Sequence, residues 1–91
     1  MTEKEILEDL RVIIVERLRF DPARAAEMTL ETTLPKGVEG SLGLDSLDFI
    51  ELSVGIEERF GIVIDEHEDL SDEFLSLESL ARFILSKSAQ A

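Results

Sequence analysis

Apolar residues recur at three- and four-residue intervals in three stretches of this chain, each bounded by residues that start or stop helices. In the first, Ile6, Leu10, Ile13, Ile14 and Leu18 form one stripe, broadened by Val12 and Val15. Thr2-Glu3-Lys4-Glu5 ahead of it has the T-x-x-E form of a capping box, in which each end satisfies a free backbone donor of the first turn. Arg17 and Arg19 stand near its end, where cations complement the helix dipole. The second stretch runs from about Ser46 to Phe60 and is stopped by Gly61. The third is capped by Ser76 and carries Leu77, Leu80, Ala81, Phe83 and Ile84 at helical spacing.

The intervening sequence is less regular. Phe20 to Asp45 is a long connection that opens on Asp21-Pro22, a cap followed by proline at the first helical position. A turn or two of helix over Pro22 to Glu27 fits that start. Beyond it TLETTLPKGVEGSLG reads as loop. A loop this long in a small domain is functional or pinned by its own apolar residues, here Met28, Leu30, Leu34 and Leu42. After Gly61, Ile62-Val63-Ile64 leads into the acidic segment DEHEDLSDEF, which has room for one short helix. No stretch alternates with period two for long enough to demand a sheet. The predicted fold is all-α: a small bundle of three main helices plus one short helix, with a long loop between the first two main helices. It forms a single domain over residues 1–91, with its core from about residue 2 to 86 and a frayed tail over 87–91.

Winding the second helix separates its apolar residues into two sets. At about 100° per residue, Phe49, Leu52, Ile56 and Phe60 fall within roughly 80° of one another and make a core stripe. Leu47, Ile50 and Val54 form a second stripe roughly opposite, edged by Glu51 and Glu58 on one side and Glu57 on the other. One helix in so small a bundle does not bury two opposed faces unaided. Either the long loop covers the second stripe, or it is exposed and meets a partner. An apolar strip edged by carboxylates suits a partner with an apolar groove rimmed by Lys and Arg.

Charge reinforces that reading. The 91 residues carry 9 Lys and Arg against 21 Asp and Glu, a formal net charge of −12. Eleven of those acids but one base, Arg59, lie between Asp45 and Glu73, so this segment holds −10 of the total. Nucleic acid and anionic lipid are poor partners for such a surface, and basic proteins are good ones. The alternative is a solvated face that maintains solubility. A chain of this size hides about 60–65% of its unfolded surface, leaving no room for separate cofactor and substrate domains. Cysteine is absent, which excludes disulfides and thiolate metal sites. The longest purely apolar run, Val12 to Val15, is far short of the ~20 residues that span a bilayer. The acidic, amphipathic N-terminus is also unlike a signal or transit peptide, so a monomeric cytoplasmic protein without membrane insertion is expected.

Candidate chemistry centres on GLDSLD. Ser46 stands between Asp45, a natural helix cap, and Asp48 in the first turn. Free backbone N–H groups at a helix start favour a phosphate there. A serine hydroxyl is a weak nucleophile without a base, and the G-x-S-x-G elbow is missing because positions 44 and 48 are Leu and Asp. The single histidine, His67, lies in the acidic segment and reads as a solvated surface residue rather than half of a dyad. Flanking carboxylates oppose an anionic intermediate. The acids of 65–73 lack EF-hand spacing, so no metal site is expected. Ser46 reads as an attachment point loaded by another protein, and no catalytic residue is assigned.

The stretch LGLDSLDFIELSVGIEERFGIVI, from Leu42 to Ile64, resembles the acyl carrier proteins, with D-S-L at a helix head followed by acidic positions and E-E-x-F. The resemblance extends more weakly to the first and last helices. It implies that Ser46 carries 4′-phosphopantetheine through a phosphodiester, moved from coenzyme A by a separate Mg²⁺-dependent phosphopantetheinyl transferase. The thiol of that arm would hold acyl groups as thioesters for acyl-transferring and chain-elongating enzymes of fatty acid, lipid or polyketide biosynthesis. It also implies that Asp45, Leu47, Asp48, Ile50, Glu51, Val54 and Glu58 contact basic, partly apolar partner surfaces. Phe49, Leu52, Ile56 and Phe60 would help form a cavity sheltering the bound chain. Three departures, PKGVEGS before Ser46, Ser53 in place of an apolar residue and a longer acidic segment after Ile64, point to a specialised carrier. An unmodified acidic helical adapter that binds a basic partner is the alternative.

Overall fold

The computed structural model describes residues 2–65 and 69–89. Among these residues four helices follow in order: α1 (Glu3–Arg17), α2 (Pro22–Ala26), α3 (Ser46–Phe60) and α4 (Leu77–Ala89). The bundle is all-α, as the periodicity predicts. The short helix is α2, and the described part of the acidic segment, residues 65 and 69–74, is turn and irregular backbone instead. His67 and its neighbours at 66 and 68 lie outside the described residues. α4 continues through Ala89, three residues into the tail expected to fray, and residues 90–91 are outside the described part.

The starts of α1 and α3 show why the chain turns helical where it does. Thr2 Oγ1 accepts from the Glu5 N–H at 3.2 Å, while the Thr2 N–H donates to Glu5 Oε1 at 3.1 Å. The same reciprocal box, built from two aspartates, opens α3. Gly61 ends α3 with φ of 66°, a left-handed conformation that costs glycine little. At the corresponding exit from α1, Arg19 adopts φ of 54° with an exposed side chain. A residue with a Cβ is strained there, whereas glycine is not, although glycine also makes the unfolded chain more flexible. Arg19→Gly is therefore expected to raise stability by about 0.5–1 kcal/mol, measured as a higher urea midpoint.

α1 is the hub, packing against α2, α3 and α4. Ile6, Leu10 and Ile14 of α1, Leu34 of the loop, Leu52 and Ile56 of α3, and Leu77, Leu80 and Ile84 of α4 are fully buried. Leu7 joins this core from beside the expected stripe, while Leu18 is only partly buried. α3 comes so close to α1 at Gly55 that a Cβ there would lie 2.6 Å from Ile13 Cγ2.

The long loop is held by its backbone as much as by its side chains. Met28 and Leu34 are buried, with Leu30 and Leu42 packed against the core, as expected, and Leu44 is buried as well. The Leu34 N–H donates to the Leu75 carbonyl at 2.9 Å, and the Leu44 N–H to the Leu34 carbonyl at 2.9 Å. Two isolated bridges, Thr33 with Ser76 and Pro35 with Leu44, mark the crossing. Carbonyls of Thr32 and Leu30 accept from the N–H groups of Leu77 (3.0 Å) and Glu78 (2.8 Å). The first turn of α4 is thus capped by the loop, in addition to the Ser79 N–H bond to Ser76 Oγ at 3.2 Å.

Candidate functional site: the head and outer face of α3

Ser46 is the first residue of α3, and its side chain is exposed. Its neighbours are fixed by the cap. Asp45 Oδ1 accepts from the Asp48 N–H at 2.9 Å, and Asp48 Oδ2 accepts from the Asp45 N–H at 3.1 Å. Each carboxylate therefore has an oxygen drawn down onto the backbone, and the hydroxyl between them is left accessible. The first-turn N–H groups of Ser46 and Leu47 face outward beyond the reach of intrahelical acceptors.

The winding of α3 separates its two faces as the sequence indicates, with one adjustment. Leu52 and Ile56 are buried, whereas Leu47 and Ile50 are 72% and 54% exposed. The loop does not cover these two. Val54 is half-buried rather than fully exposed. Asp45, Glu51 and Glu58 are exposed and Asp48 is half-buried. Glu57 turns inward and accepts from the Ile64 N–H at 2.8 Å, closing the bend after Gly61. Glu51 and Glu58 are not free carboxylates. Both pair with Arg17 of α1, with Nη1 3.8 Å from Glu51 and Nη2 in direct contact with Glu58.

Beside this face runs a groove of about 530 Å³, within the range of small-molecule sites. Phe49, Ile50 and Ser53 line it from α3, and Ile64, Asp65, Leu70, Ser71 and Phe74 line it from the segment that follows. Phe74 forms its floor, edge-to-face with Phe49 at 6.0 Å between centroids and tilted against Phe83 of α4 at 6.3 Å. Ile50, which lines the groove, is one turn beyond Ser46, an axial rise of about 6 Å. Of the four positions expected to shelter a chain, only Phe49 lines the groove. Leu52 and Ile56 are packed core, and Phe60 is partly buried against it. The groove wall comes instead from the turns around Leu70 and Phe74, which helical periodicity does not reveal. Ser53, the expected core departure, donates to the Phe49 carbonyl at 2.9 Å, so its hydroxyl is satisfied within its own helix. At the groove's edge, the hydroxyl and then the N–H of Ser71 hold the exposed Asp69 carboxyl below its ordinary value.

An exposed hydroxyl at a helix head, next to a mostly apolar groove, fits a flexible arm anchored at one end. A family model described as a phosphopantetheine attachment site matches residues 8–84. The chain belongs to the acyl carrier protein family. An acyl carrier protein of Guillardia theta is 35% identical over 89 residues, covering 98% of this chain and 99% of that protein. One from Thermosynechococcus vestitus is 31% identical over 90 residues, with 98% and 99% covered. One from Helicobacter acinonychis reaches 41% over 63 residues, 69% of this chain and 72% of that protein. As an acyl carrier protein, the molecule is a carrier and not a catalyst, and its cofactor is covalently attached 4′-phosphopantetheine. It works with transferases and biosynthetic enzymes. No described helix is long and apolar enough to cross a membrane.

Proposed function

We propose that Ser46 is the attachment residue and that the outer face of α3 is where partner enzymes dock. One observation carries the reading: the Ser46 hydroxyl is exposed at the head of α3, one helical turn from an apolar groove. In loading, Ser46 Oγ forms a new bond to the phosphorus that bears pantetheine in coenzyme A. The bond from that phosphorus to adenosine 3′,5′-bisphosphate breaks, and the nucleotide leaves with the electron pair. The serine proton passes to a base of the phosphopantetheinyl transferase, which also brings the Mg²⁺. No base in the described part of this chain pairs with Ser46, so the activation comes from outside.

The docking face comprises Asp45, Leu47, Asp48, Ile50, Glu51, Val54 and Glu58. Exposed Leu47 and Ile50 supply its apolar centre, and the carboxylates its rim. Its occupant is an enzyme surface with an apolar depression edged by Lys and Arg, chosen by complementary charge. The groove of Phe49, Ile50, Leu70 and Phe74 receives the arm or its cargo. The protein acts as a monomeric, single-domain carrier in the cytoplasm, serving fatty acid, lipid or polyketide biosynthesis. Its polar groove positions, Ser53, Asp65 and Ser71, favour a specialised cargo.

Incubation with coenzyme A, Mg²⁺ and a phosphopantetheinyl transferase tests the reading by intact-protein mass spectrometry. A gain of about 340 Da, the mass of the arm, mapped to Ser46 by peptide fragmentation supports it. A gain on another residue, or none, overturns it. Raising ionic strength above the physiological range is expected to slow the reaction at subsaturating carrier, because exposed charges are screened within about 8 Å.

A further inference from the structure

The acidic rim of α3 is divided electrically. At the Ser46 end, Asp45 and Asp48 are bonded to each other's backbone N–H, and among the described residues no Lys or Arg forms an ion pair with them. At the far end, Glu51 and Glu58 share Arg17. These two glutamates are two turns apart, with Gly55 midway between them. The missing side chain at 55 makes the gap in which Arg17 lies, its Cγ and Cδ each 3.4 Å from where a Cβ would stand. The guanidinium is thereby delivered across the α1–α3 seam onto the docking face, with its side chain 31% exposed.

We infer that Arg17 is a specificity-determining residue of the docking face, an internal competitor for the cations of a partner. The inference rests on the docking surface proposed above. A basic partner that engages Glu51 and Glu58 must displace or share with Arg17. One that reads only Asp45, Leu47 and Asp48 meets no such competition. Both glutamates are more than half exposed, at 54% and 64%, so the clasp is solvated and weak enough to be exchanged for an incoming Lys or Arg. The occupant selected against is a basic amphipathic surface that relies on the far end of α3. Arg17 also lowers the net charge of the rim from four negative to three, which softens electrostatic steering.

The test uses the full chain and a fluorescent amphipathic Lys/Leu helical peptide as the basic probe, with affinity read by anisotropy across a salt series. Amide shifts report where the peptide lies. Arg17→Gln and Arg17→Met, the latter keeping the aliphatic stem over Gly55, are expected to bind roughly two- to fivefold more tightly at low salt. They should also show a steeper salt dependence and larger shifts at Glu51 and Glu58. Arg17→Lys, which keeps the charge, is expected to stay near the wild type. Adding E51Q and E58Q to R17Q should abolish the gain. Unchanged affinity in both neutral variants, or a gain that persists in the triple variant, overturns the inference. Failure of both neutral variants to fold would make Arg17 a structural residue and also overturn it. Loading of Ser46 by the transferase is followed in parallel. An unloaded wild type defeats the attachment reading, whereas normal loading with indifferent peptide binding defeats only the role of Arg17.

Discussion

Ser46→Ala is expected to remove all loading by a phosphopantetheinyl transferase while leaving the fold intact. The two halves of this result have separate causes. Loading fails because alanine offers no oxygen to bond phosphorus, and neither neighbour substitutes for it. Asp45 and Asp48 each commit a carboxylate oxygen to the capping box, and a carboxylate would give a labile mixed anhydride in place of a phosphodiester. The fold survives because the cap is made by Asp45, not Ser46, and the serine side chain is exposed. Alanine is also at least as good a helix former, so the melting temperature should move by no more than a degree or two. Intact mass after exhaustive incubation, together with a thermal melt, checks both halves. Residual addition to S46A would place the attachment elsewhere, and a large loss of stability would give the hydroxyl a structural role that the geometry does not.

Gly55→Val is expected to be among the most destabilising single changes in the domain. Gly55 sits in the interior of α3, where glycine costs about 1 kcal/mol relative to alanine. The cost is offset by the approach of α1, whose Ile13 Cγ2 is 2.6 Å from the position a Cβ would take. That methyl belongs to a β-branched side chain with a stiff χ1 in a helix, so it cannot swing away as the end of a lysine would. Gly55→Ala therefore gains helix propensity but overpacks, for a net loss of about 0–2 kcal/mol. Valine adds two further methyl groups beside Ile13 and Arg17, and roughly 3 kcal/mol or more should be lost. In a domain of this size each kcal/mol corresponds to about 4–8 °C in melting temperature. A cycle of Gly55→Ala with Ile13→Ala should show favourable coupling, since Ile13→Ala removes the obstructing methyl. A Gly55→Val protein that melts with the wild type would mean that α1 and α3 do not meet here.

What could be seen in the sequence follows from what is local. The T-x-x-E box, the Asp45 cap and the Gly61 stop lie within four residues of the helix ends they fix, and all three are found where expected. The winding of α3 correctly separates buried Leu52 and Ile56 from exposed Leu47 and Ile50, because one helix face needs only a repeat of 3.6 residues. Features that depend on a distant partner were hidden. Arg17 reads as a dipole-complementing residue at the end of α1, and its pairing with Glu51 and Glu58 depends on helix crossing. The reason for glycine at position 55 lies in the approach of Ile13, which the α3 sequence does not contain. Val54 is half-buried, which a wheel drawn from one helix does not resolve. The groove is likewise non-local, since Leu70 and Phe74 reach Phe49 through turns with no periodic signature. The short helix lies at Pro22–Ala26, where the cap-and-proline signal points, and the described residues of the acidic segment contain none.

Beside the Ser76 side-chain cap, backbone carbonyls of Leu30 and Thr32 take two N–H groups in the first turn of α4, and those atoms are the same in every amino acid. Side-chain replacement along this strap would thus leave its hold on α4 in place, while a deletion or a shift in register would release it. At these hydrogen-bonding positions the fold therefore holds length and path more tightly than residue identity, a constraint on shape rather than on spelling.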